Sequence, residues 1–130
     1  MIRLCICGGR DYFNSKRIYE TLDYFHKQNP FILISGAATG ADTIGLKWAF
    51  ERGVVSEAYP ADWKKHGRAA GPIRNQKMLD SKINVLVAFP GGVGTNNMID
   101  ICVKANVPVV KVDDVTRSII KENEEVTTSI

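Results

Sequence analysis

The amino-acid sequence predicts an α/β protein, a Rossmann-like doubly wound sheet of about five mainly parallel strands with helices on both faces. Three observations predict it. Short apolar runs alternate with helical patterns along most of the chain, and parallel strands joined in this way require right-handed crossovers. Three glycine-rich turns each follow an apolar run and precede a helical pattern: Cys7-Gly8-Gly9-Arg10-Asp11, Ser35-Gly36-Ala37-Ala38-Thr39-Gly40-Ala41-Asp42 and Phe89-Pro90-Gly91-Gly92-Val93-Gly94-Thr95. The length, 130 residues, accommodates one domain with a substantial core.

Each element has its own local warrant. Leu4-Cys5-Ile6-Cys7 is an apolar run ending at two glycines and reads as a buried first strand. Asn14 caps a helix whose apolar stripe is Ile18, Leu22 and Phe25. Phe31 to Ile34 is the second strand. Ala41, Ile44, Gly45, Trp48 and Ala49 share one face of the next helix, which Gly53 ends. Val54 to Tyr59 reads as a third strand, shorter and more polar. Pro60 to Gly71 is a long connection, and its length favours a functional role or a short helix of its own. Gly71-Pro72 starts a helix, with Pro72 at its favoured first position. Ile83 to Phe89, nearly all apolar, has the composition of a central parallel strand. A helix from Thr95 to about Ala105 buries Met98, Cys102 and Ala105, and Val107 to Val110 is a fifth strand. Pro108 marks that strand's start or an edge position. The domain is expected to span 1–113, with 114–130 a tail that is a short helix, a dimer contact or partly disordered.

The composition, 45% hydrophobic and 24% charged, is that of an ordinary soluble globular protein. No run is long enough to cross a bilayer, and Met1-Ile2-Arg3 does not open a signal peptide, so a cytoplasmic location without membrane partners is expected. The net charge is only +3, yet every charge from Trp63 to Leu79 is basic: Lys64, Lys65, Arg68, Arg74 and Lys77. Such a segment is either a solvated face or a surface for an anionic partner. Three cysteines, an odd number, argue against a disulfide framework. Cys5 and Cys102 read as core residues, and Cys7, at a strand end, as core or near a ligand. His26 and His66 are isolated, no Cys/His pairing has zinc spacing, and neither a metal nor a cofactor is expected.

The ordered set Gly8-Gly9-Arg10-Asp11, Gly36 through Asp42, Tyr59-Pro60-Ala61-Asp62-Trp63, His66-Gly67, Ala69 through Met78 and Ala88 through Thr95 resembles the SLOG superfamily of Rossmann-like proteins. The match is to its YspA-like (YAcAr) branch, common in bacteria and bacteriophages. That resemblance implies a nucleotide-derived ligand, a host-cytoplasmic location if the chain is phage-encoded, and a homo-oligomer, since relatives often dimerise through helices beside the sheet. Related families include the LONELY GUY-type phosphoribohydrolases, which share the Pro-Gly-Gly-x-Gly-Thr turn, and the single-strand-binding DprA proteins. The hydrolases carry a catalytic Glu three residues after the Thr, where this chain has Met98. Their arginine on the preceding helix is matched by Arg74. Binding, for sensing or sequestration, is therefore favoured over turnover. Nucleotide N-glycosidic hydrolysis is the first alternative and single-stranded nucleic-acid binding the second.

The candidate ligand-binding residues follow from both readings. Pro90, Gly91, Gly92, Gly94 and Thr95 form the expected phosphate cradle, where successive N–H groups and a hydroxyl meet at a helix start. Gly8, Gly9, Gly36 and Thr39 belong to the two other turns. Arg74, in the expected first helical turn, opposes the dipole unless an anion lies nearby, and Asn75 follows it in the shared motif. Asp11 and Asp42 either cap helices or bind a sugar or base, and with Asp100 they are the carboxylates available to replace the missing Glu. Trp63 and His66 either stack on a base or anchor the connection, and Arg10, Lys64, Lys65 and Arg68 either line the mouth or are solvated.

Overall fold

The computed structural model describes residues 1–114. Five strands, β1 (Ile2–Cys7), β2 (Phe31–Ser35), β3 (Ser56–Ala58), β4 (Val85–Ala88) and β5 (Val109–Lys111), form one sheet in the order β3-β2-β1-β4-β5. Every pairing is parallel. The helices are α1 (Ser15–Gln28), α2 (Ala41–Arg52), a single turn α3 (Trp63–His66), α4 (Ala70–Asp80) and α5 (Val93–Lys104). None is long and apolar enough to cross a membrane among the described residues. The expected tail lies, beyond Asp114, outside the described residues.

The strand period of two sorts the core into two layers. Leu4 and Ile6 of β1 pack with Ile18 and Leu22 of α1 and with Trp48 and Ala49 of α2. Cys5 and Cys7 point the other way, into a cluster with Met78 of α4 and with Met98 and Cys102 of α5. Trp48, 1% exposed, stacks on Phe31 with ring centroids 5.6 Å apart and donates its indole N–H to Asp23 at 2.8 Å. Its ring is thus buried while its one polar atom is satisfied.

Local signals end the helices where expected. The Asn14 side chain accepts from the Arg17 N–H at 3.1 Å. Gly53 closes α2 in the left-handed region at φ 68°. Pro108 immediately precedes β5, an edge strand, and offers its carbonyl to Leu86 N–H at 2.9 Å, a role that needs no N–H of its own.

Several boundaries differ from expectation. α5 begins at Val93 rather than Thr95, so Gly94 and Thr95 lie inside its first turn. α4 begins at Ala70, because α3 and a 3-10 turn over Gly67–Ala69 already lead the chain into it. Pro72 is therefore the third helical residue, still among those whose N–H has no helical partner. Arg74 falls in the second turn, where the dipole no longer opposes a cation strongly. The third, fourth and fifth strands are shorter than their apolar runs; Ile83 and Phe89 are buried outside β4, although Phe89 N–H still donates to Cys7 O at 2.8 Å.

The three glycine turns meet at one peptide. Gly9 donates its N–H to Pro90 O at 2.8 Å, and its carbonyl accepts from Ala41 N–H and Tyr12 N–H, both at 3.2 Å. Gly40 packs against this peptide at φ 85°, a conformation L side chains rarely adopt, and a Cβ there would strike the Gly9 and Arg10 backbone. Around Gly94, by contrast, a Cβ would meet nothing within 4 Å. Gly40→Ala should lose about 2–4 kcal/mol of stability from strain and overlap. Gly94→Ala should lose none and gain up to about 1 kcal/mol from helix propensity. Urea unfolding of both variants checks the contrast, and equal midpoints would contradict it.

Candidate functional site

A doubly wound sheet leaves a crevice where successive crossovers leave toward opposite faces, at the carboxyl ends of the strands. Here that point lies between β1 and β4, and a cleft of about 650 Å³ opens there. The volume is within the usual range for a small-molecule site.

Most of the residues singled out in the sequence meet in this cleft. Gly8, Gly9, Arg10 and Asp11 come from the turn after β1, and Asp42 from the start of α2. Trp63 reaches it from α3, Arg74 and Asn75 from α4, and Gly92, Gly94 and Thr95 from the start of α5. Gly36 and Thr39 line a smaller adjoining recess that shares Arg10, Trp63 and Arg74. Pro90 and Gly91 line a separate hollow beside β5. Their work next to the cleft is structural, since a Cβ on Gly91 would come within 2.7 Å of Gly9 N.

Other candidates separate. Arg68 lines the cleft, while Lys64 and Lys65 are exposed outside it. His66 faces another hollow beneath Tyr59. Asp100 is exposed on α5 and does not reach the cleft. Asp11 sits exposed at the mouth, whereas Asp42 is only 7% exposed. Met98 is 1% exposed and belongs to the core layer under the cleft.

A chain of hydrogen bonds spans the site. Asn75, buried on α4, donates to Asn97 Oδ1 at 2.9 Å and to Gly94 O at 3.3 Å. Its own Oδ1 accepts from Arg74 Nε at 2.9 Å, and Arg74 Nη1 donates to Gly36 O at 2.6 Å. Arg74 is thereby held across to the turn after β2, with Nη2 left without a protein acceptor among the described residues. Asn97 is a cleft residue that the sequence reading missed. Its spacing of three from Gly94 places both on one helical face and was the available signal.

The start of α5 is uncapped: Gly92 is its N-cap and supplies no side-chain acceptor to the first-turn N–H groups. Those groups carry the positive end of the helix dipole into the cleft wall. At the mouth, the Arg10 guanidinium lies over the Trp63 ring at 4.8 Å. The floor is neutral, because burial pushes the Cys7 thiol well up, with the nearby Asp42 adding to the shift.

Two carboxylates interrupt this cationic lining, Asp11 exposed at the mouth and Asp42 buried in the wall. One oxygen of Asp42, Oδ2, accepts from Ala38 N–H at 3.3 Å. The other, Oδ1, is buried with no hydrogen-bond partner among the described residues. Burial pushes the carboxyl up to about 6, against the opposing pull of the Ala38 bond, Arg74 and Arg10. A folded-state value above the unfolded one means the proton is held more tightly in the native state. Its stabilising effect is complete below about pH 4 and is lost as pH rises through 6. Asp42→Asn removes that penalty, which is on the order of 2–3 kcal/mol at neutral pH. The variant should melt several degrees above the native chain at pH 7.5, the gap closing toward pH 4. Melting curves at pH 4, 6 and 7.5 check this, and a gap that does not change with pH would contradict it.

Comparison with known proteins places this geometry among relatives. A family model described as "YspA, cpYpsA-related SLOG family" matches residues 2–66. The Gene 61 protein of Mycobacterium phage D29 is 35% identical over 124 residues, covering 88% of this chain and 98% of that protein. Among solved structures, DNA processing protein A (DprA) from Streptococcus pneumoniae superposes with a TM-score of 0.77 at 12% identity. The match covers 100% of this chain but 58% of the DprA chain, so this protein spans little more than half of that relative. The molybdenum cofactor binding protein from Rippkaea orientalis gives a TM-score of 0.71 at 16% identity, covering 99% of this chain and 88% of that one. The Moco carrier protein from Chlamydomonas reinhardtii gives 0.59 at 16%, covering 98% and 87%. At such identities the structural likeness establishes the fold alone. The family match and the phage relative go further: this chain belongs to the YspA, cpYpsA-related SLOG family.

Proposed function

We propose that the protein binds a nucleotide-derived small molecule in the cleft between β1 and β4, holding it for sensing or sequestration rather than turning it over. One observation carries this reading: the uncapped start of α5 opens into the same cleft as Arg74, whose Nη2 has no acceptor among the described residues. Helix N–H groups with a positioned guanidinium suit a phosphate, which also gains from the helix dipole. Arg68 adds a second cation, and Trp63 with Arg10 supplies a flat face at the mouth for an aromatic base. Two relatives of the same fold are named for binding or carrying the molybdenum cofactor, which supports a small-molecule cleft on this fold. The phage origin of the Gene 61 protein supports a setting inside a host cell.

Binding is favoured over cleavage because Met98 holds the position at which the resembled hydrolases carry Glu. A second reading, nucleotide N-glycosidic hydrolysis, draws on Asp42, since a carboxyl poised near 6 can exchange a proton near neutral pH. Homo-oligomerisation belongs to the same proposal. Light scattering should give a mass of at least two chains, and a single-chain mass would remove that part.

The functional test incubates the purified protein with a pool of nucleoside monophosphates, ADP-ribose and cyclic nucleotides. Ultrafiltration follows, then mass spectrometry of the filtrate and of the heat-released ligand. One compound retained and released intact is the expected result. Free base with sugar phosphate in the filtrate would establish the hydrolase instead. Gly94→Val, whose added Cβ meets nothing within 4 Å, should stay folded and lose retention at least tenfold. Undiminished retention in that variant would remove the phosphate from the start of α5.

A further inference from the structure

We infer that Asp42 reads a hydrogen-bond donor on a bound 5′-nucleotide, a sugar hydroxyl or a base N–H, and so sets which nucleotides the cleft accepts. This rests on the nucleotide-binding reading above. Asp42 enters the cleft from the start of α2, which follows β2, and α5 follows β4. Those strands flank β1 on opposite sides, so the carboxylate stands across β1 from the proposed phosphate cradle. A nucleotide with its phosphate at α5 then presents its sugar or base toward Asp42.

The carboxylate exceeds what the local fold needs. Holding the turn takes only Oδ2, which accepts from Ala38 N–H, and a neutral Asn would serve there equally well. Oδ1 is buried with no donor, and the side chain is more than nine-tenths buried. An unpartnered buried oxygen on an ionisable group is costly, and a ligand donor offsets that cost. The protein's own cations do not. Arg74 commits Nη1 to Gly36 O and Nε to Asn75, and Arg10 lies over Trp63. Neither forms an ion pair with Asp42 among the described residues. From β1 the facing groups are the Cys5 and Cys7 thiols, which burial keeps protonated and which offer at most weak donors. An anion alone would be repelled by Asp42, whereas an anion carrying a donor group satisfies both ends of the cleft.

The experiment titrates native protein, Asp42→Asn and Gly94→Val at pH 7.5 by calorimetry with three probes. These are AMP, 2′,3′-dideoxy-AMP, which lacks the sugar hydroxyls, and purine riboside 5′-monophosphate, which lacks the amino group. The native chain should bind AMP at least tenfold more tightly than one of the two analogues, and which one identifies the donor. Asp42→Asn should bind AMP at least tenfold more weakly and lose that discrimination. Its retained or raised melting temperature shows that the loss is not unfolding. Equal AMP affinity in native and Asp42→Asn, with Gly94→Val still defective, overturns this inference and leaves the phosphate reading standing. Discrimination that persists in Asp42→Asn also overturns it, by assigning the donor contact elsewhere. No AMP binding to the native chain overturns it as well, and the nucleotide pool then judges the broader reading separately.

Discussion

Everything at the carboxyl edge of this sheet depends on the backbone of Gly9. Its N–H and its carbonyl tie the first glycine turn to the third and to the start of α2. The contacts work only because the facing positions are also glycine. A Cβ at Gly40 or Gly91 would enter the space this peptide occupies, and one at Gly8 would come within 2.6 Å of Ala41 Cβ. Close backbone approach, rather than ligand contact, is the first reason for these glycines. The glycines that line the cleft are a different set: Gly92 and Gly94 border open space. One glycine-rich motif thus divides into residues that close the fold and residues that leave room for something else.

With the turns locked together, two helices on one face of the sheet share a polar network with the backbone of the turn after β2. The run from Asn97 through Asn75 and Arg74 to Gly36 links α5, α4 and the turn after β2. Its effect on Arg74 is pre-organisation: two of its nitrogens are occupied by the protein, so the ordering of that long side chain is complete before any ligand arrives. Asp42 is held with the opposite logic. It remains near cations without pairing with them, and its burial costs stability at neutral pH. A buried, unpaired carboxyl that faces a cleft is the kind of position on which the proposed binding role rests.

Much of this was legible in the sequence because its cause is local or periodic. Asn14 at a helix start, Gly53 at a helix end and the alternation of Leu4, Cys5, Ile6 and Cys7 each act through immediate neighbours, and each stands where its chemistry puts it. The start of α4 was misread because Gly71-Pro72 looks like a beginning when the Trp63–Ala69 turns already supply one. The start of α5 was obscured by Gly92 and Gly94, whose low helix propensity hides a turn that tertiary packing enforces. The division of labour between Gly91 and Gly92 was out of reach, since it is decided by Gly9, more than eighty positions away. Asn97 was within reach by its spacing from Gly94, but its partner, Asn75, lies on another helix and is visible only in the fold.

Met98 shows how much chemistry one position can withhold. It lies one helical turn beyond Thr95 and is buried with Cys5, Cys7, Met78 and Cys102. Cys7 and Met78 of that layer also line the cleft, so its floor is apolar sulfur and an ionisable group there would be desolvated. The charges that can act on a ligand are therefore confined to the walls and mouth: Arg74, Arg68 and Arg10 against Asp42 and Asp11. Glycosidic cleavage needs groups disposed about the scissile bond to assist departure of the base and attack of water. With Asp11 exposed at the mouth and the floor neutral, Asp42 is, among the described residues, the one carboxylate set within the wall. It stands among cations that suit an intact phosphate and lacks a partner carboxylate beside it. Such a cleft fits the proposed holding of a nucleotide better than its cleavage.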